Sequence, residues 1–206
     1  PVAGLDRFED LPQATAFVSS SFLVSAWRWL KQSHGFRDDK LKNYAFNSAP
    51  FIADKKSIQQ AYVTSEPYAI EKLAGFKPNV FMLADYGYDS YGTTIETRTD
   101  LINKNPDLVQ RFVDASIIGW RHYLSGDNAA ANAAIKRDNP DISDGQLTYS
   151  IAAMRDRHLL DSGDAATHGV GAMTDARIGT FYDKMVAAGV LPANLDYKKG
   201  YTLRFI

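Results

Sequence analysis

The opening part of the chain, residues 1–88, alternates between short β-prone runs and helical stretches, and this alternation limits the fold more than any other feature. Thr15–Ser20, Asn43–Asn47 and Gln60–Thr64 contain the β-branched and aromatic residues that are typical of strands. A helical spacing of apolar residues follows the first run, and a short helical stretch begins near Pro50. Strands that alternate with helices favour a parallel sheet. The sequence therefore predicts an α/β fold with mainly parallel strands.

Glycines indicate where the helices of this part end. The helix after the first strand is expected to stop at Gly35, because glycine readily takes the left-handed conformation that ends helices. A later helix is predicted over Ser65–Gly75, with a serine N-cap, an early proline and a terminal glycine. One more strand is predicted at Val80–Leu83.

The turn-rich, tyrosine-rich segment Tyr86–Gly92 is the best candidate for a domain boundary. Beyond it the chain is nearly all helical, beginning with a long helix over Asn105–Gly126. Further helix starts are predicted at Ser143, which has capping-box spacing, and at Thr174. The strand candidates in this part are Thr93–Thr97 and Tyr201–Phe205. We therefore expect one α/β domain in residues 1–88 and a mostly helical one in residues 89–206.

Composition and charge exclude several kinds of partner and site. The chain has 23 basic and 24 acidic side chains without long runs of one sign, so it offers no electrostatic footprint for nucleic acid. The absence of cysteine excludes disulfides, thiolate metal sites and cysteine nucleophiles. The start Pro1–Gly4 has neither the basic nor the apolar part of a signal peptide, so we expect that any export signal has been removed.

Motifs for catalysis or metal binding are missing from the sequence. The four histidines have no paired spacing, and there is no G-x-S-x-G turn for a nucleophilic serine. Gly169–Thr174 begins like a dinucleotide-binding loop but ends in threonine, and Asp138–Asp144 places apolar residues where a calcium loop needs oxygen ligands. We expect a protein that is not an enzyme and that needs no metal or other cofactor.

Polar side chains follow each of the predicted strands. Ser20, Asn47 and Thr64 lie where the strands end, and Glu66 starts the next helix. Because the carboxyl ends of parallel strands meet in one crevice, these side chains are candidate contacts for a small polar ligand. The alternative is that the serine and asparagine only cap helices, and that Glu66 only favours the start of its helix.

Tyrosines are frequent around the same crevice. Tyr62, Tyr86 and Tyr88 are candidates for contacts with a flat heterocycle, because a tyrosine ring combines an apolar face with a polar tip. The alternative for each of them is packing in the core or between domains.

Four segments together resemble the NMT1/THI5-like family of ABC-transporter substrate-binding proteins. They are Phe8–Leu11, Gln59–Pro67, Leu83–Tyr91 and Asn105–Val109, and the resemblance covers nearly the whole chain. It departs from the family where Gln60–Val63 replaces a pattern of glycine and aspartate ahead of Glu66 and Pro67.

The resemblance implies a type II periplasmic-binding-protein fold, with a ligand held between two α/β lobes. It implies a periplasmic protein that captures a small molecule, such as an aminopyrimidine, a sulfonate or nitrate, and delivers it to the membrane permease of an ABC importer. Two alternatives are the enzyme branch that builds the thiamine pyrimidine on this fold and a sensory ligand-binding domain. The resemblance implies a cysteine-rich segment in the enzyme branch, so the lack of cysteine in this chain argues against that branch.

In this fold, residues 1–88 are expected to form a crossover strand and the second α/β lobe, and residues 89–206 to return to the first lobe. The helices of residues 89–206 have only two strand candidates to cover, so we expect this lobe to be incomplete and the family's N-terminal sheet units to be absent. The apolar side chains that would then lose burial are Phe112, Trp120, Ile151 and Phe181. Exposed apolar faces associate with other chains, and the sequence therefore predicts that this chain either self-associates or derives from a longer chain.

Overall fold

The computed structural model describes residues 4–206, so residues 1–3, on which the expectation of a removed export signal rests, lie outside the described residues. The described chain is a mixed helix and strand fold with two compact units. Of the described residues, the first unit contains residues 4–89 and Gly179–Leu195, and the second contains Ser90–Ile178 and Asp196–Ile206. The predicted division into two lobes, with a boundary between residues 88 and 89, stays a prediction.

A parallel sheet lies at the centre of the first unit. Its strands are β1 (Thr15–Val18), β2 (Leu41–Asn43) and β3 (Ser57–Gln59), in the order β2-β1-β3. Ala16 of the central strand lies opposite Leu41 on one side and Ile58 on the other, and both pairings are parallel. The predicted α/β fold with parallel strands is confirmed.

Two of the strands lie earlier in the chain than predicted. β2 ends where the predicted run Asn43–Asn47 begins, and β3 ends before Gln60–Thr64. The reason is that β1 ends at Val18 and provides no pairing partner beyond that point. The β-prone residues after β2 and β3 are therefore loop residues at the carboxyl edge of the sheet.

Three other predicted strands are wrong. Val80–Leu83, Thr93–Thr97 and Tyr201–Phe205 pair with no neighbour in the described part of the chain. The first of these instead runs into a 3-10 turn over Leu83–Tyr86. Since a lone extended segment gains no cross-strand hydrogen bonds, strand propensity alone does not form a strand.

Helices make up most of the remaining chain, and in part they begin and end as predicted. In chain order they are α1 (Ser20–Leu23), α2 (Ala26–His34), α3 (Ala49–Ala53), α4 (Glu66–Ala74), α5 (Thr99–Lys104), α6 (Pro106–Ser125), α7 (Ala129–Asp138), α8 (Asp144–Asp156), α9 (Asp164–His168) and α10 (Asp175–Ala187). α2 and α4 end at Gly35 and Gly75, both left-handed, and the Ser143 hydroxyl caps α8. Between residues 4 and 206, none of the helices has the length and apolarity that a membrane span requires.

The core of the first unit is formed by α2 and the sheet. Trp27 and Leu30 of α2 follow helical spacing and are both buried, and the indole N–H of Trp27 donates to Asp38 at 2.9 Å. The buried cluster consists of Phe8, Leu11, Ala16, Val18, Trp27, Trp29, Leu30, Phe36 and Met185. This core fixes the position of β1 and thus of the loop that follows it.

In the second unit, α6 buries one side and exposes another. Val109 and Val113 are buried with Phe205, whereas Phe112 is 60% exposed. Trp120 is also exposed, as predicted. The predicted loss of burial is wrong for Ile151, which is buried in α8. Phe181 is partly buried in the first unit, where it packs on the core cluster.

An exposed apolar stripe on α6 consists of Leu108, Phe112 and Ile118, which lie within about a third of the helix circumference. Because patches of this kind are association sites, we expect the 22.8 kDa chain to self-associate as its concentration rises. Replacing Phe112 and Ile118 together with serine should keep the mass at the monomer value. Light scattering over a concentration series tests this, and a wild-type chain that stays monomeric throughout would contradict it.

Candidate functional site

The loops that follow the three strands begin at the same edge of the sheet. The Tyr44 N–H donates to the Val18 carbonyl at 2.9 Å, and the Gln60 N–H donates to the Phe17 carbonyl at 2.9 Å. These bonds hold the first residues after β2 and β3 against β1. The candidate site therefore lies at this carboxyl edge, within the first unit.

A network of serine and glutamine side chains connects two of these loops. Both the N–H and the hydroxyl of Ser19 donate to the Gln60 side-chain oxygen at 2.8 Å. The Ser19 oxygen lies 3.0 Å from the Ser21 hydroxyl and accepts the Phe22 N–H at 3.4 Å. Ser19 is buried and serves the fold, whereas Ser20, the predicted ligand contact, is exposed at the start of α1.

Glu66 connects the loop after β2 with the loop after β3. Its Oε1 accepts the Tyr44 hydroxyl at 3.1 Å, and its Oε2 accepts the Tyr62 N–H at 2.9 Å. Glu66 is also the first residue of α4, where the helix dipole favours a carboxylate. Each oxygen of an ionised carboxylate accepts more than one hydrogen bond, so both retain capacity for a ligand donor.

The contact with Glu66 contributes to a raised pKa of Tyr44. Burial raises the pKa of Tyr44 to about 12, and the negative charge of Glu66 and the hydrogen bond to it add to the rise. A phenol with so high a pKa remains a hydrogen-bond donor at neutral pH. Tyr44 therefore holds the Glu66 carboxylate in place from the loop after β2.

Two aromatic rings are exposed on the loops that Glu66 connects. Tyr62 is 67% exposed, and Phe46 is 71% exposed with its ring centroid 5.2 Å from that of Tyr44. Tyr62 is a predicted site residue, and Phe46 is not. The carboxyl edge thus carries hydroxyl, amide and carboxylate groups together with two exposed rings.

The remaining predicted residues lie in different surroundings. The exposed Asn47 uses its side-chain oxygen to accept the Ala49 N–H at 2.9 Å, which starts α3, and Thr64 lies in the turn ahead of α4. Tyr86 stacks on Phe8 at 3.7 Å and belongs to the core packing. The structure brings Asn47 and Thr64 to the carboxyl edge but gives Tyr86 a packing partner.

Tyr88 also packs against the core cluster. Its ring lies 5.2 Å from that of Trp29 and 5.1 Å from that of Phe181. Burial raises the pKa of Tyr88, and Ser25 beside its hydroxyl lowers it part of the way. Since the Ser25 hydroxyl donates to the Ser21 carbonyl at 3.4 Å, Tyr88 reaches the serine network indirectly.

Sequence reasoning missed Ser19, Tyr44, Phe46 and Gln60. Ser19 and Gln60 were placed inside the predicted strands Thr15–Ser20 and Gln60–Thr64, whereas in the structure each immediately follows a strand. Tyr44 and Phe46 were assigned to a strand, which concealed them as loop residues.

Within residues 4–206, no group of three histidine, aspartate or glutamate side chains could hold a metal ion.

Tyr44 makes the first unit less stable as the pH becomes strongly alkaline. Its pKa in the folded state, about 12, lies above the ordinary value of 10.0, so the folded state keeps a proton that the unfolded chain releases. Stability is therefore complete below about pH 10 and falls as pH rises toward about 12. We expect Tyr44→Phe to lose less stability than wild type over this range in urea unfolding. Tyr62→Phe, at an exposed tyrosine, is the control, and equal losses in wild type and Tyr44→Phe would refute the assignment.

Comparison with known proteins identifies relatives of the part that contains this edge. The family model described as "NMT1/THI5 like" matches residues 4–130, which is more than half of the chain. The riboflavin-binding protein RibY of Chloroflexus aurantiacus is 27% identical over 161 residues, covering 77% of this chain and 45% of that protein. The chain thus spans less than half the length of this relative. No solved structure gives a significant match.

Proposed function

The chain belongs to the NMT1/THI5-like family, and from this premise we propose that it is the substrate-binding component of an ABC importer. A solute-binding role is supported by the family and by the relative, whose name describes binding of riboflavin. Both point to binding rather than to catalysis. We also propose the kind of ligand, delivery to a permease and a periplasmic location.

The observation that carries the proposal is the convergence of ligand-type groups at the carboxyl edge of the sheet. Ligands of open α/β sheets bind outside the carboxyl ends of the strands. Here Glu66 links the loops after β2 and β3, and Ser19 links the loops after β1 and β3. Loops that are tied to each other in this way are preorganised, which lowers the entropy lost when a ligand binds.

We propose that the ligand is a small polar or heteroaromatic solute, and that polar contacts come from Ser20, Asn47, Thr64 and Glu66. Tyr62 supplies an aromatic contact, and Tyr86 and Tyr88 support the region from the core. The sheet and its helices form one lobe of the two-lobed type II fold in this proposal. Ligand binding then stabilises a closed state that docks on the membrane permease in the periplasm.

The proposal is tested by calorimetric titration of the protein with a panel of solutes. The panel contains riboflavin, an aminopyrimidine, the sulfonate taurine, and nitrate. We expect one member to bind with a dissociation constant in or below the micromolar range and the others to bind much more weakly. Failure of all four to bind, or conversion of any of them into a product, would contradict a binding function.

A further inference from the structure

Phe46 combines two unfavourable features in one loop residue. Its φ angle is 57°, in the left-handed region that phenylalanine rarely adopts, and its side chain is 71% exposed to solvent. Glycine or asparagine takes this conformation with less strain, and a polar side chain would suit the exposure better. Strain that the surrounding structure maintains is characteristic of ligand-binding positions. Stability therefore does not explain why this position carries a phenylalanine.

The ring of Phe46 is supported from within the protein. It lies 5.2 Å from the ring of Tyr44 at an angle of 50°, and Tyr44 is buried. The Tyr44 hydroxyl is held by Glu66 at 3.1 Å. Phe46 therefore rests on a fixed neighbour while most of its own surface faces solvent.

The second exposed ring is tied to the same carboxylate. The backbone N–H of Tyr62 donates to Glu66 at 2.9 Å, and the Tyr62 side chain is 67% exposed. Glu66 thus fixes the loops from which both exposed aromatic residues project. The two residues come from different loops, after β2 and after β3, at one edge of the sheet.

The charge at this edge limits the kind of ligand. Among the described residues, no lysine, arginine or histidine forms an ion pair with Glu66. An unpaired carboxylate disfavours an anion such as a sulfonate or nitrate, whereas it accepts hydrogen bonds from N–H groups. Flat aromatic heterocycles with N–H groups suit both the carboxylate and the exposed rings.

Building on the proposed solute-binding function, we propose that Phe46 is a specificity-determining residue that stacks on the ring of an uncharged or cationic heteroaromatic ligand. Tyr62 provides the second aromatic surface, and Glu66 holds the loops of both.

The test compares Phe46→Asn with wild type, because asparagine accepts the left-handed backbone but lacks the ring. We expect the thermal midpoint of Phe46→Asn to equal or exceed that of wild type, while riboflavin binding weakens at least about tenfold. The opposite signs of the two effects separate a ligand contact from a folding defect. Phe112→Ala, at an exposed phenylalanine in the other unit, should leave riboflavin binding unchanged.

Three outcomes would overturn the inference, and they separate it from the proposed function. Unchanged riboflavin affinity in Phe46→Asn overturns the stacking role alone. Wild-type preference for taurine or nitrate over riboflavin and the aminopyrimidine overturns the ligand class and leaves solute binding intact. A wild-type protein that binds none of the four overturns the solute-binding proposal and the stacking role with it.

Discussion

Replacing Trp29 with alanine is expected to lower the free energy of unfolding of the first unit by about 3–5 kcal/mol. Trp29 is only 4% exposed, and its ring packs against His34 at 4.7 Å and Tyr88 at 5.2 Å. Removing the indole loses its transfer free energy and leaves a cavity between α2 and the segment that contains Tyr88. A loss of this size is a large part of the 5–15 kcal/mol that stabilises a typical domain.

Chemical unfolding of wild type and Trp29→Ala measures this loss. Trp120→Ala is the matched control, because Trp120 is 44% exposed on α6 and its removal should cost less than about 1 kcal/mol. A Trp29→Ala variant that is destabilised no more than Trp120→Ala would show that α2 does not pack in the core as described.

Glu66→Gln is expected to weaken binding of the ligand by about tenfold to a hundredfold. Glutamine keeps one acceptor oxygen but loses the negative charge and the second acceptor, so a charge-assisted hydrogen bond of about 1.5–3 kcal/mol is lost. The Tyr44 hydroxyl and the Tyr62 N–H donate to different oxygens of Glu66, and the NH2 group of glutamine cannot accept at the position that it takes. Both aromatic loops then lose part of their common support.

Calorimetry together with thermal unfolding separates the two interpretations of Glu66. If the carboxylate only favours the start of α4, stability falls by about 0.3–1 kcal/mol and affinity stays constant. Glu71→Gln on the same helix is the control, because Glu71 is partly exposed and lies 3.8 Å from Lys77 on the surface. Equal affinities of Glu66→Gln and Glu71→Gln would reduce Glu66 to a residue of the helix start.

Local signals in the sequence predicted the helices better than the strands. Gly35 and Gly75 end helices because a left-handed residue follows the last turn, a requirement that acts within a few positions. A strand also needs a partner, which lies far away in the sequence. Thr93–Thr97 has the composition of a strand but finds no partner in the described chain, so its propensity had no effect.

The candidate site was predictable in its location but not in its contacts. The carboxyl edge of the sheet follows from the alternation of strands and helices, and Glu66 was identified from its place after the predicted strand Gln60–Thr64. The contact of Glu66 with Tyr44 spans 22 positions and depends on tertiary packing. The left-handed backbone of Phe46 could not be predicted, because phenylalanine gives no local signal for it.

Mass spectrometry of the small molecules released from the protein, purified without refolding, tests the central claim most directly. The claim is that the carboxyl edge around Glu66 and Phe46 captures a heteroaromatic solute. Wild type is predicted to release one such compound in nearly equimolar amount, and the double variant Phe46→Asn with Glu66→Gln is predicted to release little or none. Release of no solute from wild type, or of equal amounts from both proteins, would contradict the claim.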